Sequence, residues 1–75
     1  MIRRNDMEQG TIAAWFEDRG FGFIAADLGG PQIYVAQWAF KPPASVTEGD
    51  RVFFKARKGS KGFHALEAAL ASEVN

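Results

Sequence analysis

Hydrophobic and polar residues alternate along most of this chain, in short runs that turn residues separate. Alternation with a period of two places successive side chains on opposite faces of a β-strand. Glycine, proline and small polar residues between the runs are typical of turns. The pattern predicts four strands, which span residues 10–16, 21–26, 32–37 and 50–57.

The first two predicted strands carry four of the ten aromatic residues. In the first strand, the alternation directs Phe16 toward the core and Trp15 away from it. In the second strand, Phe21 and Phe23 lie on the outward face, while Ile24 lies on the inward face. The opposite orientation of the second strand would expose Ile24 and leave glycine and alanine on the core face.

The third and fourth predicted strands continue the same pattern. Tyr34 lies on the opposite face from Ile33 and Val35, and is expected beside the outward phenylalanines. Trp38 follows this strand and either lines the same outward face or plugs an end of the fold. In the fourth strand, the inward set is Val52, Phe54 and Ala56, and the outward set is Arg51, Phe53, Lys55 and Arg57.

The last segment allows two interpretations. Residues 65–73 are mostly good helix formers, and Leu66, Leu70 and Val74 share a face at helical spacing. A fifth strand over residues 63–69 would instead complete a sheet. Local propensity alone does not choose between these two structures.

Short strands and regular turns predict an all-β fold, a five-stranded antiparallel Greek-key barrel with a short helical turn at the C-terminus. Closure removes the strand edges that would otherwise aggregate. We expect a flexible N-terminal tail over residues 1–8, one barrel domain over residues 9–70 and a C-terminal tail over residues 71–75.

Composition narrows the classes of function. The 75 residues contain no cysteine and one histidine, so disulfides and zinc sites built from several thiolates or imidazoles are not expected. No signal peptide or membrane span is recognisable, which predicts a cytoplasmic protein without a membrane partner. The adjacent acids Glu17 and Asp18 lie on a predicted exposed turn, where neighbouring residues rarely share a catalytic site. We therefore expect no enzymatic activity, and likewise no cofactor and no small-molecule substrate.

Charge is distributed unevenly, although the formal net charge is zero. Residues 51–62 contain five basic residues and no acidic residue. A local basic segment suits weak, salt-sensitive contact with a polyanion. A solvated hairpin with ordinary surface lysines would show the same pattern.

Several motifs resemble those of the bacterial cold-shock domain family. Residues 10–15, Gly-Thr-Ile-Ala-Ala-Trp, look like the start of such a domain, and residues 19–24, Arg-Gly-Phe-Gly-Phe-Ile, resemble its first ribonucleoprotein motif. Residues 33–37, 48–54 and 59–62 match later motifs in order, so the resemblance covers residues 10–69. It implies a barrel of the oligonucleotide-binding type that binds single-stranded RNA or DNA.

The chain also departs from the family pattern. The family's tryptophan–phenylalanine pair begins one position earlier, where this chain has Ala14, so a bulge or register shift decides which ring reaches the binding face. Ala36 and Gln37 replace the histidine and aromatic residue of the second motif. Trp38 stands where a serine is usual, and the loop over residues 41–45 is shorter and lacks a phenylalanine.

The leading hypothesis is that single-stranded RNA or DNA binds by stacking its bases on an aromatic strand face, with weak sequence preference, as an RNA chaperone would. The predicted site consists of Trp15, Arg19, Phe21, Phe23, Tyr34, Trp38, Lys55 and Lys61. The alternative is a protein-interaction or self-assembly module on the same barrel, with an eroded nucleic-acid site. An exposed Phe53 would then mark a homodimer contact.

Overall fold

The computed structural model describes residues 7–41 and 43–73. Its five strands are β1 (Glu8–Phe16), β2 (Phe21–Ala26), β3 (Ile33–Ala36), β4 (Arg51–Gly59) and β5 (Gly62–Leu70). All four strands that the alternating pattern predicts are present. The predicted tails lie partly outside the described residues, as does Pro42 of the predicted loop over residues 41–45.

The strands close into a barrel in the order β1-β2-β3-β5-β4, which confirms the predicted fold. β1 pairs antiparallel with both β2 and β4, and β5 pairs antiparallel with β4 along its length. One pairing is parallel, between β3 and β5, where Tyr34 lies opposite His64. The aromatic residues of β2 and β3 therefore share an outer surface that continues onto β5.

The ambiguous last segment is a strand rather than a helix. β5 pairs with β4 at eight positions, and its alanines Ala65, Ala68 and Ala69 are buried. Those tertiary hydrogen bonds and the apolar burial outweigh the local helix propensity of the segment. A 3-10 turn over Ala71–Glu73 then supplies the short helical turn predicted at the C-terminus.

The core consists of the inward faces of the strands and three residues of the β3–β4 connection, Ala39, Phe40 and Val46. Its largest fully buried side chains are Phe40, Phe54, Ile12, Ile24, Val35 and Val52. Phe40 follows a 3-10 turn over Gln37–Ala39, which takes the place of the predicted continuation of the third strand. Burial of Ile24 and Gly22 confirms that the phenylalanines of β2 face outward.

A register shift between Ile12 and Ala14 divides β1 into two halves. The alternation of inward and outward side chains is reversed in the second half. Beyond this bulge, Trp15 lies opposite Gly22, on the inward side, and Phe16 lies opposite Phe21, on the outward side. The prediction that Trp15 points outward and Phe16 inward is therefore wrong. One extra residue at a bulge reverses the face of every side chain that follows it.

The prediction of an exposed Phe53 is also wrong. The Phe53 side chain is only 8% exposed, in register with Gln9 on β1 and Ala69 on β5. Alternation along β4 correctly predicts the buried residues Val52 and Phe54 but does not reveal that their neighbour is covered as well. No helix of the described residues is long and apolar enough to cross a membrane.

Candidate nucleic-acid interface

Four aromatic rings form one continuous patch on the outer surface of β1, β2 and β3. We call Phe16, Phe21, Phe23 and Tyr34 the aromatic patch. The Phe21 ring lies at its centre, 5.2 Å from Phe16, 6.0 Å from Phe23 and 5.4 Å from Tyr34 between ring centroids. Phe23 and Tyr34 are 6.1 Å apart.

Cross-strand register places these rings together. Phe16 lies directly opposite Phe21, and Phe23 lies directly opposite Tyr34. Phe21 and Phe23 share a face because Gly22 separates them on the strand. Gly22 also allows β1 to approach closely, since a Cβ atom there would meet the Ala14 carbonyl oxygen and the Trp15 ring. Gly22 therefore has two effects: it allows the close packing of β1 on β2, and it leaves Phe21 and Phe23 together on the outer face.

The patch is accessible to a ligand. Phe16 and Tyr34 are 42% and 41% exposed, and Phe21 and Phe23 are half-buried. The Phe21 and Tyr34 rings are nearly parallel, at 28°, whereas Phe23 meets both neighbours edge-on. The surface therefore offers ring faces and edges at several angles, which suits planar groups that stack one at a time.

Trp38 and Arg19 lie at the end of the patch nearest the β1–β2 turn. The backbone N–H of Gln37 donates a hydrogen bond to the Gly20 carbonyl at 2.8 Å, which ties the 3-10 turn to the β1–β2 turn. Trp38 is 71% exposed there, so it does not plug the barrel. Arg19 is exposed on the same turn. The two turns that carry these exposed residues therefore lie next to Phe21, at one end of the patch.

Trp15 is separated from the aromatic patch by the bulge in β1. Its ring packs against the core and meets Phe40 edge-on, with centroids 6.0 Å apart at 88°. Its indole N–H donates a hydrogen bond to Glu17 Oε1 at 3.1 Å. Sequence reasoning missed Phe16, the ring that takes the outward position. The tryptophan–phenylalanine pair, which begins one position later than in the family pattern, indicates a bulge or a register shift in β1. Alternation alone does not locate it.

The two predicted lysines occupy different surroundings. Lys61 lies in the β4–β5 turn and lines an open groove that Tyr34 also borders, so it is next to the patch. Lys55 is exposed on β4 directly opposite Glu67 on β5, in a pair of strands that does not carry the patch. The structure therefore brings Lys61, but not Lys55, to the aromatic patch.

Arg51, the first residue of the basic segment, has a structural partner. Its guanidinium group donates hydrogen bonds to both carboxylate oxygens of Asp27, at 2.8 and 2.6 Å, and to the Thr11 hydroxyl at 2.8 Å. These contacts join β4, the β2–β3 turn and β1. The hydrogen bonds from Arg51 hold the pKa of Asp27 below its ordinary value. The Arg51 side chain therefore stabilises the fold rather than contacting a ligand.

The alternative interaction surface loses its main support, because Phe53 is buried. A homodimer stays a prediction without the exposed phenylalanine that suggested it. The aromatic patch, by contrast, includes the exposed rings of Phe16 and Tyr34. Exposed rings with cations at two edges can stack unpaired bases and contact the phosphates between them.

Comparisons with known proteins identify the family of this chain. The family model described as the 'Cold-shock' DNA-binding domain matches residues 8–70. The cold shock-like protein CspA of Shewanella violacea is 36% identical over 66 residues, which cover 81% of this chain and 90% of that protein. The cold shock protein CapA of Pseudomonas fragi is 41% identical over 61 residues, covering 77% of this chain and 94% of that one.

A solved structure supports the fold independently. The Drosophila Unr fragment CSD456 superposes with a TM-score of 0.71 at 22% identity, covering 92% of this chain and 29% of that one. The family match, the curated relatives and the barrel together show that this chain belongs to the cold-shock domain family, whose members generally bind single-stranded nucleic acids and are not enzymes.

Proposed function

We propose that this protein binds single-stranded RNA or DNA by stacking successive bases on the aromatic patch. The observation that carries the proposal is the row of four rings around Phe21, each within 6.1 Å of a neighbour. Base–aromatic stacking contributes about 1–3 kcal/mol per base and tolerates any base, because every base has a π-face. Sequence preference is therefore weak.

Cations at the two ends of the patch contact the phosphates. Arg19 is the cation at one end, in the β1–β2 turn that a hydrogen bond ties to the 3-10 turn of Trp38. Lys61 is the cation at the other end, beyond Tyr34. With about two to four phosphate contacts, the slope of log affinity against log salt is roughly −1.5 to −3. A zero net charge adds no long-range attraction, so duplexes, whose bases are not free to stack, bind poorly.

The biological consequence is an RNA-chaperone activity in the cytoplasm. A protein that traps unpaired strands shifts weak RNA hairpins toward their open form. This shift requires binding alone and no nucleotide hydrolysis. The proposal predicts that a labelled hairpin of low stability opens as protein is added, while a stable hairpin does not.

The direct test is a titration of labelled oligothymidine, followed by fluorescence anisotropy. Phe21→Ala removes the central ring and should weaken binding about 5- to 150-fold, as expected for one stacked base. Leu28→Ala is the matched control, because Leu28 is apolar, 90% exposed and located in the β2–β3 turn. Its affinity should equal that of the wild type.

Two results would contradict the proposal. One is the absence of binding by the wild-type protein at low salt. The other is an unchanged affinity in Phe21→Ala when circular dichroism shows that the variant is folded. Equal affinity for a duplex of the same length would also argue against stacking as the source of binding.

A further inference from the structure

Leu28 projects from the β2–β3 turn, where its side chain is 90% exposed. Backbone hydrogen bonds hold this turn in place on both sides of the leucine. The N–H of Asp27 donates to the Gln9 carbonyl of β1 at 2.9 Å, and the N–H of Gly29 donates to the Ala26 carbonyl at 3.0 Å. A large apolar side chain is therefore presented to solvent in a defined position.

An open apolar cavity lies beside this turn, at the end of the barrel. Its volume is about 180 Å³, and its lining includes Ala26, Gly29, Ile33, Ala56 and Phe63. Alanine at two inward positions leaves the space unfilled. An apolar cavity of about 150 Å³ can hold a benzene molecule, so this cavity has room for the four side-chain carbons of a leucine.

The exposed leucine and the cavity are complementary, but one chain does not bring them together. Leu28 is 90% exposed, so it does not fill the cavity of its own chain. A second copy can supply the leucine. Because the leucine and the cavity share one end of the barrel, a two-fold axis between two copies can place each Leu28 in the cavity of the other. Such a contact uses the same surface twice and closes as a dimer.

The charges around this end of the barrel favour the approach of a second copy. Glu8 lines the cavity, and Lys58 lies on the hairpin directly opposite the phenylalanine of the lining; both side chains are exposed. Beside Leu28, Asp27 and Arg51 form an ion pair. The rim of the cavity and the turn thus each carry one acidic and one basic group, so two copies can meet with opposite charges facing each other. The zero net charge of the chain adds no long-range repulsion.

We propose that two copies of this chain associate through this end of the barrel, with Leu28 of each copy in the cavity of the other. Each copy contributes one turn and one cavity rim, which is less than the roughly 800 Å² per partner of a stable interface. The dimer is therefore transient, with a Kd on the order of 0.1–1 mM. The inference does not rest on the proposed function, because Leu28 is not part of the aromatic patch.

The experiment follows NMR spectra of the full chain as its concentration rises from about 0.02 to about 2 mM, a range that brackets the expected Kd. Signals of Leu28, Ile33 and Phe63 should shift together, while those of Phe21 should not. Leu28→Ala should lose these shifts, because each dimer loses two leucine contacts and its Kd rises at least about tenfold. Leu28→Met, an apolar side chain of similar size, should retain them.

A cavity-filling variant tests the other half of the contact. Ala56→Met should also lose self-association, because the longer side chain takes the space that Leu28 would enter. When labelled Leu28→Ala is mixed with unlabelled Ala56→Met, the cavity signals of the labelled chain should shift again, since one chain keeps the cavity and the other keeps the leucine. This mixed dimer should be weaker than the wild-type dimer, because one contact forms instead of two. Ala26→Val fills the same cavity and replaces Ala56→Met if that variant does not fold.

Two results would overturn the inference. Wild-type signals that do not change with concentration would show that the cavity is empty or is filled within one chain. Shifts that persist in Leu28→Ala, or a mixture that restores nothing, would show that copies meet through another surface. Oligothymidine titrations are independent of both results, because at micromolar protein the chain is monomeric and Leu28→Ala remains a valid control there.

Discussion

Trp15 meets Phe40 edge-on, with ring centroids 6.0 Å apart, and this contact assigns the tryptophan of β1 to the core rather than to the binding surface. The neighbouring Phe16 then turns outward onto Phe21. Two adjacent aromatic residues thus have separate functions, one in stability and one in the aromatic patch. The bulge between Ile12 and Ala14 is the cause.

Substitutions at these two positions should therefore differ in whether they mainly affect stability or binding. Trp15→Ala removes a half-buried ring from the core and should lower the free energy of unfolding by about 2–4 kcal/mol. Phe16→Ala removes an exposed ring and should lower it by less than about 1 kcal/mol. Urea unfolding measures both. In oligothymidine titrations, the ranking should reverse, with Phe16→Ala weakening binding more than Trp15→Ala among folded molecules.

The two tryptophans should also report differently on binding. Trp38 is 71% exposed at the edge of the patch, whereas Trp15 packs against Phe40. Oligothymidine should therefore quench the fluorescence of Trp38 but change that of Trp15 little. Trp15→Phe should keep most of the wild-type fluorescence change, and Trp38→Phe should lose most of it. The reverse assignment would show that the strand passes over Trp15 instead.

Close packing of β1 on β2 makes Gly22 sensitive to any side chain. A Cβ atom there would lie 2.5 Å from Trp15 Cε3 and would also meet the Ala14 carbonyl oxygen. Gly22→Ala should therefore destabilise the fold by at least about 3 kcal/mol, because a backbone atom must move. Thermal unfolding measures the change.

Gly29 is the matched glycine for that experiment. A Cβ atom at Gly29 would meet nothing within 4 Å, although the backbone φ is +89°. Gly29→Ala should therefore show only the cost of a left-handed conformation, about 1–2 kcal/mol. Equal destabilisation by the two substitutions would argue against a steric role for Gly22.

The contact between Arg51 and Asp27 should make stability depend on pH. Hydrogen bonds from Arg51 lower the pKa of Asp27 below the ordinary value of 3.8, so the folded state favours the ionised carboxylate. The stabilisation is present above the unfolded pKa and is lost as the pH falls through the lower folded pKa. Wild type should therefore melt at a higher temperature than Asp27→Asn near neutral pH, and this gap should close in acid.

Asp18→Asn controls for the general effect of removing one acidic charge. Asp18 is exposed in the β1–β2 turn, so its removal should not produce the same gap. High salt should also reduce the gap for Asp27→Asn, because both side chains of the ion pair are nearly half exposed. A gap that persists unchanged at low pH would show that the Arg51 contact does not depend on ionisation of Asp27.

The pattern of residues along the chain is sufficient to predict the barrel and the centre of the aromatic patch. Alternation with a period of two fixes the inward side of β2, because placing Ile24 outside would leave glycine and alanine in the core. Phe21 and Phe23 must then face solvent together. Turn residues between the runs predict short strands, and closing these strands into a barrel removes exposed edges.

Three other features depend on contacts between residues that are distant in the sequence. The bulge that exchanges the facing of Trp15 and Phe16 depends on how β1 pairs with β2 and β4 at the same time. A one-residue shift in register does not alter the composition of the strand, so composition does not reveal it. Residues 62–70 become a strand because β4 and β3 offer hydrogen bonds that local helix propensity does not include. Phe53 is covered although its strand position faces outward, since burial depends on neighbours distant in sequence.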